Sequence, residues 1–134
     1  MSVIAQSSTN FGGVVKYEFD PATAFCRESI VINDSAQTLK VGAVLGKVTA
    51  TGKYRLSLAA SNDGSQTPAA ILLTDGLGVS VDLALTANTD TKAIVLVRGP
   101  AIVADAGLQL GTGITAAAVK TALAAANVLV ESAI

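Results

Sequence analysis

A chain of 134 residues with nine basic and ten acidic side chains lacks the basic excess of a nucleic-acid binder. Having no histidine, it also lacks the commonest general base and metal ligand. One cysteine permits no internal disulfide and no zinc cluster, and no window approaches the roughly 18 consecutive apolar residues of a membrane span.

Residues 1–10 are polar and show no period. They carry neither a basic start nor an apolar stretch, so no secretory signal is expected. After Phe11-Gly12-Gly13 comes a strand-like run, Val14-Val15-Lys16-Tyr17-Glu18-Phe19, closed by Asp20-Pro21. Aromatics are 4% of the chain, and four of the five (Phe11, Tyr17, Phe19 and Phe25) lie in the first 25 residues. A polar terminus holding nearly all the aromatics reads as an arm that anchors on another molecule, residues 1–25, ahead of a β-rich domain, residues 26–134. On that reading, removing residues 1–19 leaves the domain folded. The alternative is an edge strand packed on its own domain.

From Arg27 onward the signals are mainly β. Glu28 to Ile32 is rich in β-branched residues and ends at the turn cluster Asn33-Asp34-Ser35. Leu39 to Thr49 is apolar, and its glycines, Gly42 and Gly46, indicate a bend, a bulge or close backbone approach. Thr51-Gly52 is a turn. Tyr54, Leu56 and Leu58 then alternate with Lys53, Arg55 and Ser57. A polar loop with an Asp63-Gly64 turn precedes a short buried strand over residues 69–73, which Gly76 to Gly78 break. Val79, Val81, Leu83 and Leu85 alternate with polar or small residues. Residues 88–91 turn, 92–98 form a strongly apolar strand, and 101–103 continue extended beyond Gly99-Pro100. One helix is expected: Thr115 is its N-cap, Ile114 and Val119 form a staple, and Val119 and Leu123 share a face. Asn127 suits the left-handed residue that ends it, and Val128 to Val130 return to strand. The fold class is mainly β with one short C-terminal helix. With 51% hydrophobic residues and only 14% charged, some apolar surface is expected to be covered by partners.

The search for chemistry is short. Glu18 and Asp20 are the only close acidic pair, and a pair in a terminal run is usually solvated surface. Cys26 beside Arg27 is either a lowered-pKa thiol or, more in keeping with a chain lacking histidine, a structural cysteine. Gly111-Thr112-Gly113 lacks the lysine of a phosphate loop and reads as a lead-in to the helix cap. Asp63-Gly64 lacks the alternating acids of a calcium loop. No active site emerges; no catalytic residue, cofactor or metal is expected.

Specific strings carry more. Phe25-Cys26-Arg27-Glu28-Ser29-Ile30-Val31-Ile32 is followed by residues 42–54, running from Gly42-Ala43-Val44-Leu45-Gly46 to Gly52-Lys53-Tyr54. Next come Asp63-Gly64-Ser65-Gln66-Thr67-Pro68-Ala69-Ala70-Ile71-Leu72 and Ala93-Ile94-Val95-Leu96-Val97-Arg98-Gly99. Gly113-Ile114-Thr115-Ala116-Ala117 then opens an Ala-rich helix with a Val-rich end. In this order they resemble the head decoration, or capsid cement, proteins of tailed bacteriophages, the family of the lambda head decoration protein. The resemblance runs from about Phe25 to Val130, and the family's glycine before the last strand is Asn127 here.

That resemblance implies a non-enzymatic protein with a small β-tulip or β-clip-like domain and an extended N-terminal arm. It implies a homotrimer on the outer surface of the expanded virion head, made in the bacterial host cytoplasm. There it clamps the major capsid protein against packaged DNA. Nucleic acid and membrane are not implied as partners. The capsid-binding arm would use Phe11, Val14, Val15, Lys16, Tyr17, Glu18 and Phe19. The low-charge stretches Thr67, Pro68, Ala69 and Ala70 and Gly99, Pro100 and Ala101 are the candidate trimer seam. A carbohydrate- or cell-surface-binding β module is the alternative. Only Tyr54 lies beyond the arm to serve as a stacking platform.

Overall fold

The computed structural model describes residues 15–18, 26–77 and 82–131. Among them are ten strands and one α-helix, so the chain is mainly β with one short helix near its C-terminus. Phe11, Val14, Phe19, Asp20, Val79 and Val81 lie outside the described residues.

Five strands close a barrel in the order β2 (Arg27–Ile32), β5 (Tyr54–Leu56), β4 (Val44–Lys47), β6 (Pro68–Asp75) and β8 (Thr91–Leu96). The ladder between β2 and β8 runs unbroken from Arg27 opposite Leu96 to Ile32 opposite Thr91. A two-stranded sheet of β3 (Gln37–Leu39) and β7 (Leu83–Leu85) contributes Leu39 and Leu85 to the barrel's core. A third sheet has the order β1 (Val15–Glu18), β9 (Ala101–Ala104), β10 (Val128–Glu131). In it β1 is antiparallel to β9 and β10 is parallel to it. A parallel pair needs a crossover, and the helix α1 (Ala116–Ala124) lies within it.

The apolar residues divide into two cores on either side of β6. Ala70 and Leu72 point into the barrel with Ile32, Leu45, Tyr54, Leu56 and Val95. Ile71 and Leu73 point outward into a second cluster with Val44, Leu96, Val103, Val119, Leu123, Val128 and Val130. Both faces of β6 are thus covered, which is why residues 69–73 read as a continuous apolar run rather than an alternating one. Much of the chain's apolar content among the described residues lies in these two cores. Among the described residues, the large hydrophobics left exposed are Leu77, Leu110 and Leu129.

Helix α1 forms as its ends dictate. The Thr115 hydroxyl accepts from the Ala118 N–H at 3.1 Å, and Ile114 and Val119 meet in the outer core. Val119 and Leu123, four apart, are its buried residues, each contributing about 1.5–3 kcal/mol by leaving water. Asn127 takes the left-handed conformation at φ 62°. The carbonyls beyond the helix are not left to solvent: Gly99 N–H donates to Ala126 O at 2.8 Å, and Ala101 N–H to Asn127 O at 3.3 Å. The link between β8 and β9 therefore rests against the helix end, and a side chain at Gly99 would collide with the Asn127 carbonyl.

Gly46 answers the expectation of close approach. It sits where β4 shifts register against β6, and a Cβ there would run into the Ser65 backbone carbonyl.

Candidate functional site

The structure puts the described arm residues in the domain's own sheet. Val15 pairs with Val103, Tyr17 with Ile102 and Glu18 with Ala101, and a register shift falls between Val15 and Tyr17. That bulge changes the alternation, so Val15 and Glu18, three apart, are both buried. Val15 joins the outer core. The Glu18 carboxylate accepts two hydrogen bonds from the Arg27 guanidinium, at 2.7 Å from Nε and 2.8 Å from Nη2. Only 4% of the Glu18 side chain is exposed. Residues 15–18 thus form an edge strand of the domain's own sheet, and the tie from Glu18 to Arg27 joins β1 to the barrel. The surface carboxylate pair expected at Glu18 is instead this ion pair; Asp20 lies outside the described residues.

The two candidate seam stretches come to one end of a single strand pair. β6 and β8 are antiparallel with Ile71 opposite Leu96, so residues 67–70 and 97–100 lie beyond that rung on the same side. Pro68, Ala70 and Ala101 are buried within the subunit itself, the latter two in its cores. Thr67 and Pro100 are exposed, and Ala69 and Gly99 are partly so. The distinction was invisible in the sequence, because a small apolar residue suits a core and an interface equally.

The densest polar cluster joins the loop after β2, the strand β5 and the loop before β6. Asp34, 6% exposed, accepts from the N–H groups of Ser35 at 2.7 Å and Leu56 at 2.9 Å, and from the Gln37 amide at 2.9 Å. It also meets the Arg55 guanidinium, 3.3 Å away, which reaches Asp63 at 3.5 Å. Beside it, Lys53 and the Asn33 amide both donate to Asp90. The Ser65 hydroxyl and N–H donate to Asp63 and hold its carboxyl below the usual carboxylate range. The Asn33 amide, then the Lys53 ammonium, do the same for Asp90. Inside the barrel, burial raises the Tyr54 phenol, and the negative charge of Glu28 adds to it. Two shallow clefts of about 250 Å³ each flank Arg55 and Asn33; their lining is polar and aliphatic, without an aromatic ring.

Asp34 read as a turn residue; its role as a hub rests on Leu56, a partner 22 residues away that no local pattern reveals. Replacing Asp34 with alanine leaves the buried Leu56 N–H without its acceptor and breaks the contact with Arg55, and is expected to cost about 3 kcal/mol in urea unfolding. Asp90→Ala, at an exposed pair, should leave the urea midpoint nearly unmoved. Equal losses from both changes would contradict the hub.

The remaining candidates are structural in their surroundings. Cys26 is fully buried, and its Sγ lies 3.6 Å from the Pro100 carbonyl. Gly111 packs on the Ser57 backbone and Gly113 on Ala59, with Ala59 N–H donating to Thr112 O at 3.1 Å. Among the described residues no group of three or more Cys, Asp or Glu side chains is placed to hold a metal ion, and no helix is long and apolar enough to cross a membrane.

Fold and surfaces together define a small two-core β module whose described charged groups mostly tie its own loops and strands. The family model for the bacteriophage lambda head decoration protein D matches residues 4–129, nearly the whole chain. The chain belongs to that family, whose members are structural and associated with the virion capsid. No curated protein and no solved structure matches the chain.

Proposed function

We propose that this chain is a capsid cement protein. It binds as a homotrimer to the outer surface of the expanded phage head and stabilises the shell of major capsid protein against the pressure of packaged DNA. It works mechanically, without catalysis, cofactor, nucleic acid or membrane. The observation that carries this reading is the family match over residues 4–129. Two cores sharing one strand support it, because a clamp must resist deformation and β6 is packed on both faces. Weak contacts repeated over a shell add up through avidity, so no single site has to be tight.

Attachment falls to the chain ahead of β1, including Phe11 and Val14, with Tyr17 following on the strand itself. The seam between copies draws on Thr67, Ala69, Gly99 and Pro100, the partly exposed members of the two low-charge stretches. The test is co-sedimentation with expanded, decoration-free heads assembled from the major capsid protein of the same phage. The full chain should saturate the heads, and a chain lacking residues 1–14 should keep its melting temperature yet bind at least tenfold more weakly. Full-strength binding by that truncation would remove the arm from the proposal, and failure of the full chain to bind would remove the capsid reading itself.

A further inference from the structure

An aspartate followed by a glycine is prone to rearrange its own backbone, because no side chain on the second residue shields the peptide nitrogen. The chain has two such pairs, Asp63-Gly64 and Asp75-Gly76. In the rearrangement at the first pair, the Gly64 nitrogen attacks the side-chain carboxyl carbon of Asp63. An N–Cγ bond forms, and the hydroxyl of the protonated carboxyl leaves with the amide proton as water. Water from solvent then opens the succinimide ring. Cleavage at the main-chain carbonyl leaves the chain running through the Asp63 side chain, as isoaspartate. Cleavage at the other carbonyl restores aspartate. Nothing is oxidised or reduced.

The fold ties down the groups this reaction must move. The peptide plane between Asp63 and Gly64 is held at both ends: its carbonyl accepts from Thr49 N–H at 2.9 Å, and its N–H donates to Gln66 Oε1 at 2.8 Å. Asp63 Oδ1 accepts from the Ser65 N–H at 3.0 Å and from the Ser65 hydroxyl, while Oδ2 faces the Arg55 guanidinium. Gly64, at φ 103°, lies against the Thr49 side chain and the Lys47 carbonyl, so the peptide has little room to turn. We propose that Asp63-Gly64 is a latent site of backbone isomerisation that the fold keeps silent, with the Gln66 side chain as its guard. The bonds from Ser65 support this in a second way. They hold the Asp63 carboxyl below the usual carboxylate range, and the ionised form is unreactive because it has no hydroxyl to lose. Isomerisation would add a carbon to the main chain and move the carboxylate away from Ser65 and Arg55. It would therefore loosen the same backbone, at Ser65, against which Gly46 is packed. In the sequence Gln66 is one polar loop residue among several, and only its bond to the Gly64 N–H distinguishes it.

The experiment ages the full chain in neutral buffer for weeks, folded and, in parallel, unfolded in guanidinium chloride. Peptide mapping follows isoaspartate at residues 63 and 75. At residue 63 the folded chain should react more slowly than the unfolded one by about tenfold or more, given about fivefold for each hydrogen bond that must break. Gln66→Ala should speed residue 63 about fivefold and leave residue 75 at the parent's rate. Gln66→Leu, which keeps the bulk without the acceptor, should do the same, and it keeps the test valid if the alanine variant folds poorly. Gln66→Glu, which retains an acceptor oxygen, should age like the parent. Equal rates at residue 63 in the folded and unfolded parent overturn the silenced site. Parental rates there in both the alanine and leucine variants overturn the guard, as does a Gln66→Glu rate as high as theirs. So does a rise at residue 75 equal to that at residue 63, which would mark a general loosening of the fold.

Discussion

Replacing Gly46 with alanine is expected to destabilise the protein by about 3 kcal/mol or more, lowering the melting temperature by roughly 10 °C. The added methyl has nowhere to go. It would strike the carbonyl of Ser65, a backbone group and not the flexible end of a side chain. That backbone is held in turn: Ser65 N–H donates to Asp63, and Thr49 N–H donates to Asp63 O at 2.9 Å. β4 cannot move away either, since it is paired on one side to β5 and on the other to β6. Close-packed interiors relax little, so the strain must be absorbed by breaking one of these ladders. Gly52 provides the comparison. Its φ of 73° disfavours alanine, but the space beside it holds only the Lys47 side chain at 3.8 Å, so Gly52→Ala should cost about 1 kcal/mol. Thermal melts of the two variants decide the matter, and equal shifts would contradict the close-approach account.

Extending the N-terminal deletion from residue 14 to residue 18 should turn a folded protein into a marginal one. The longer cut removes β1, exposing the outer core where Val15 lay and taking from Arg27 its Glu18 carboxylate. Burial of a valine contributes about 1.5–3 kcal/mol. The loss of a largely buried ion-pair partner adds about 2 kcal/mol, below the figure for a fully buried pair because 24% of the Arg27 side chain meets solvent. A total of about 4 kcal/mol is a large share of the 5–15 kcal/mol typical of a domain. Urea midpoints for the two truncations measure the difference, and coincident midpoints would show β1 to be dispensable. Binding studies of the arm therefore need the cut placed at residue 14, because a cut at residue 19 confounds attachment with folding.

What could be read from the sequence was what is local. Thr115, Val119, Leu123 and Asn127 specified the helix and both its ends, since capping and 3.6-residue spacing act within one segment. The alternation of Tyr54 and Leu56, and the unbroken run at Ala70 to Leu73, announced strands. Pairing between distant segments was not legible. The parallel seating of β10 on β9 depends on tertiary packing, and the bulge after Val15 breaks the period-2 rule that would have assigned Glu18 to a face. The family resemblance identified the kind of protein. It did not distinguish Ala70 and Ala101, which fill the cores, from Thr67 and Pro100, which face outward.

β6 has one further consequence. Because Ala70 and Leu72 belong to one core while Ile71 and Leu73 belong to the other, displacing β6 strips buried side chains from both cores at once. Barrel and outer sheet are therefore expected to unfold in one transition, which coincident thermal melts by two probes would check. On that expectation, partial opening offers no intermediate resting state. On the proposed function, a shell held by many such copies would weaken by losing members, not by the gradual softening of all of them.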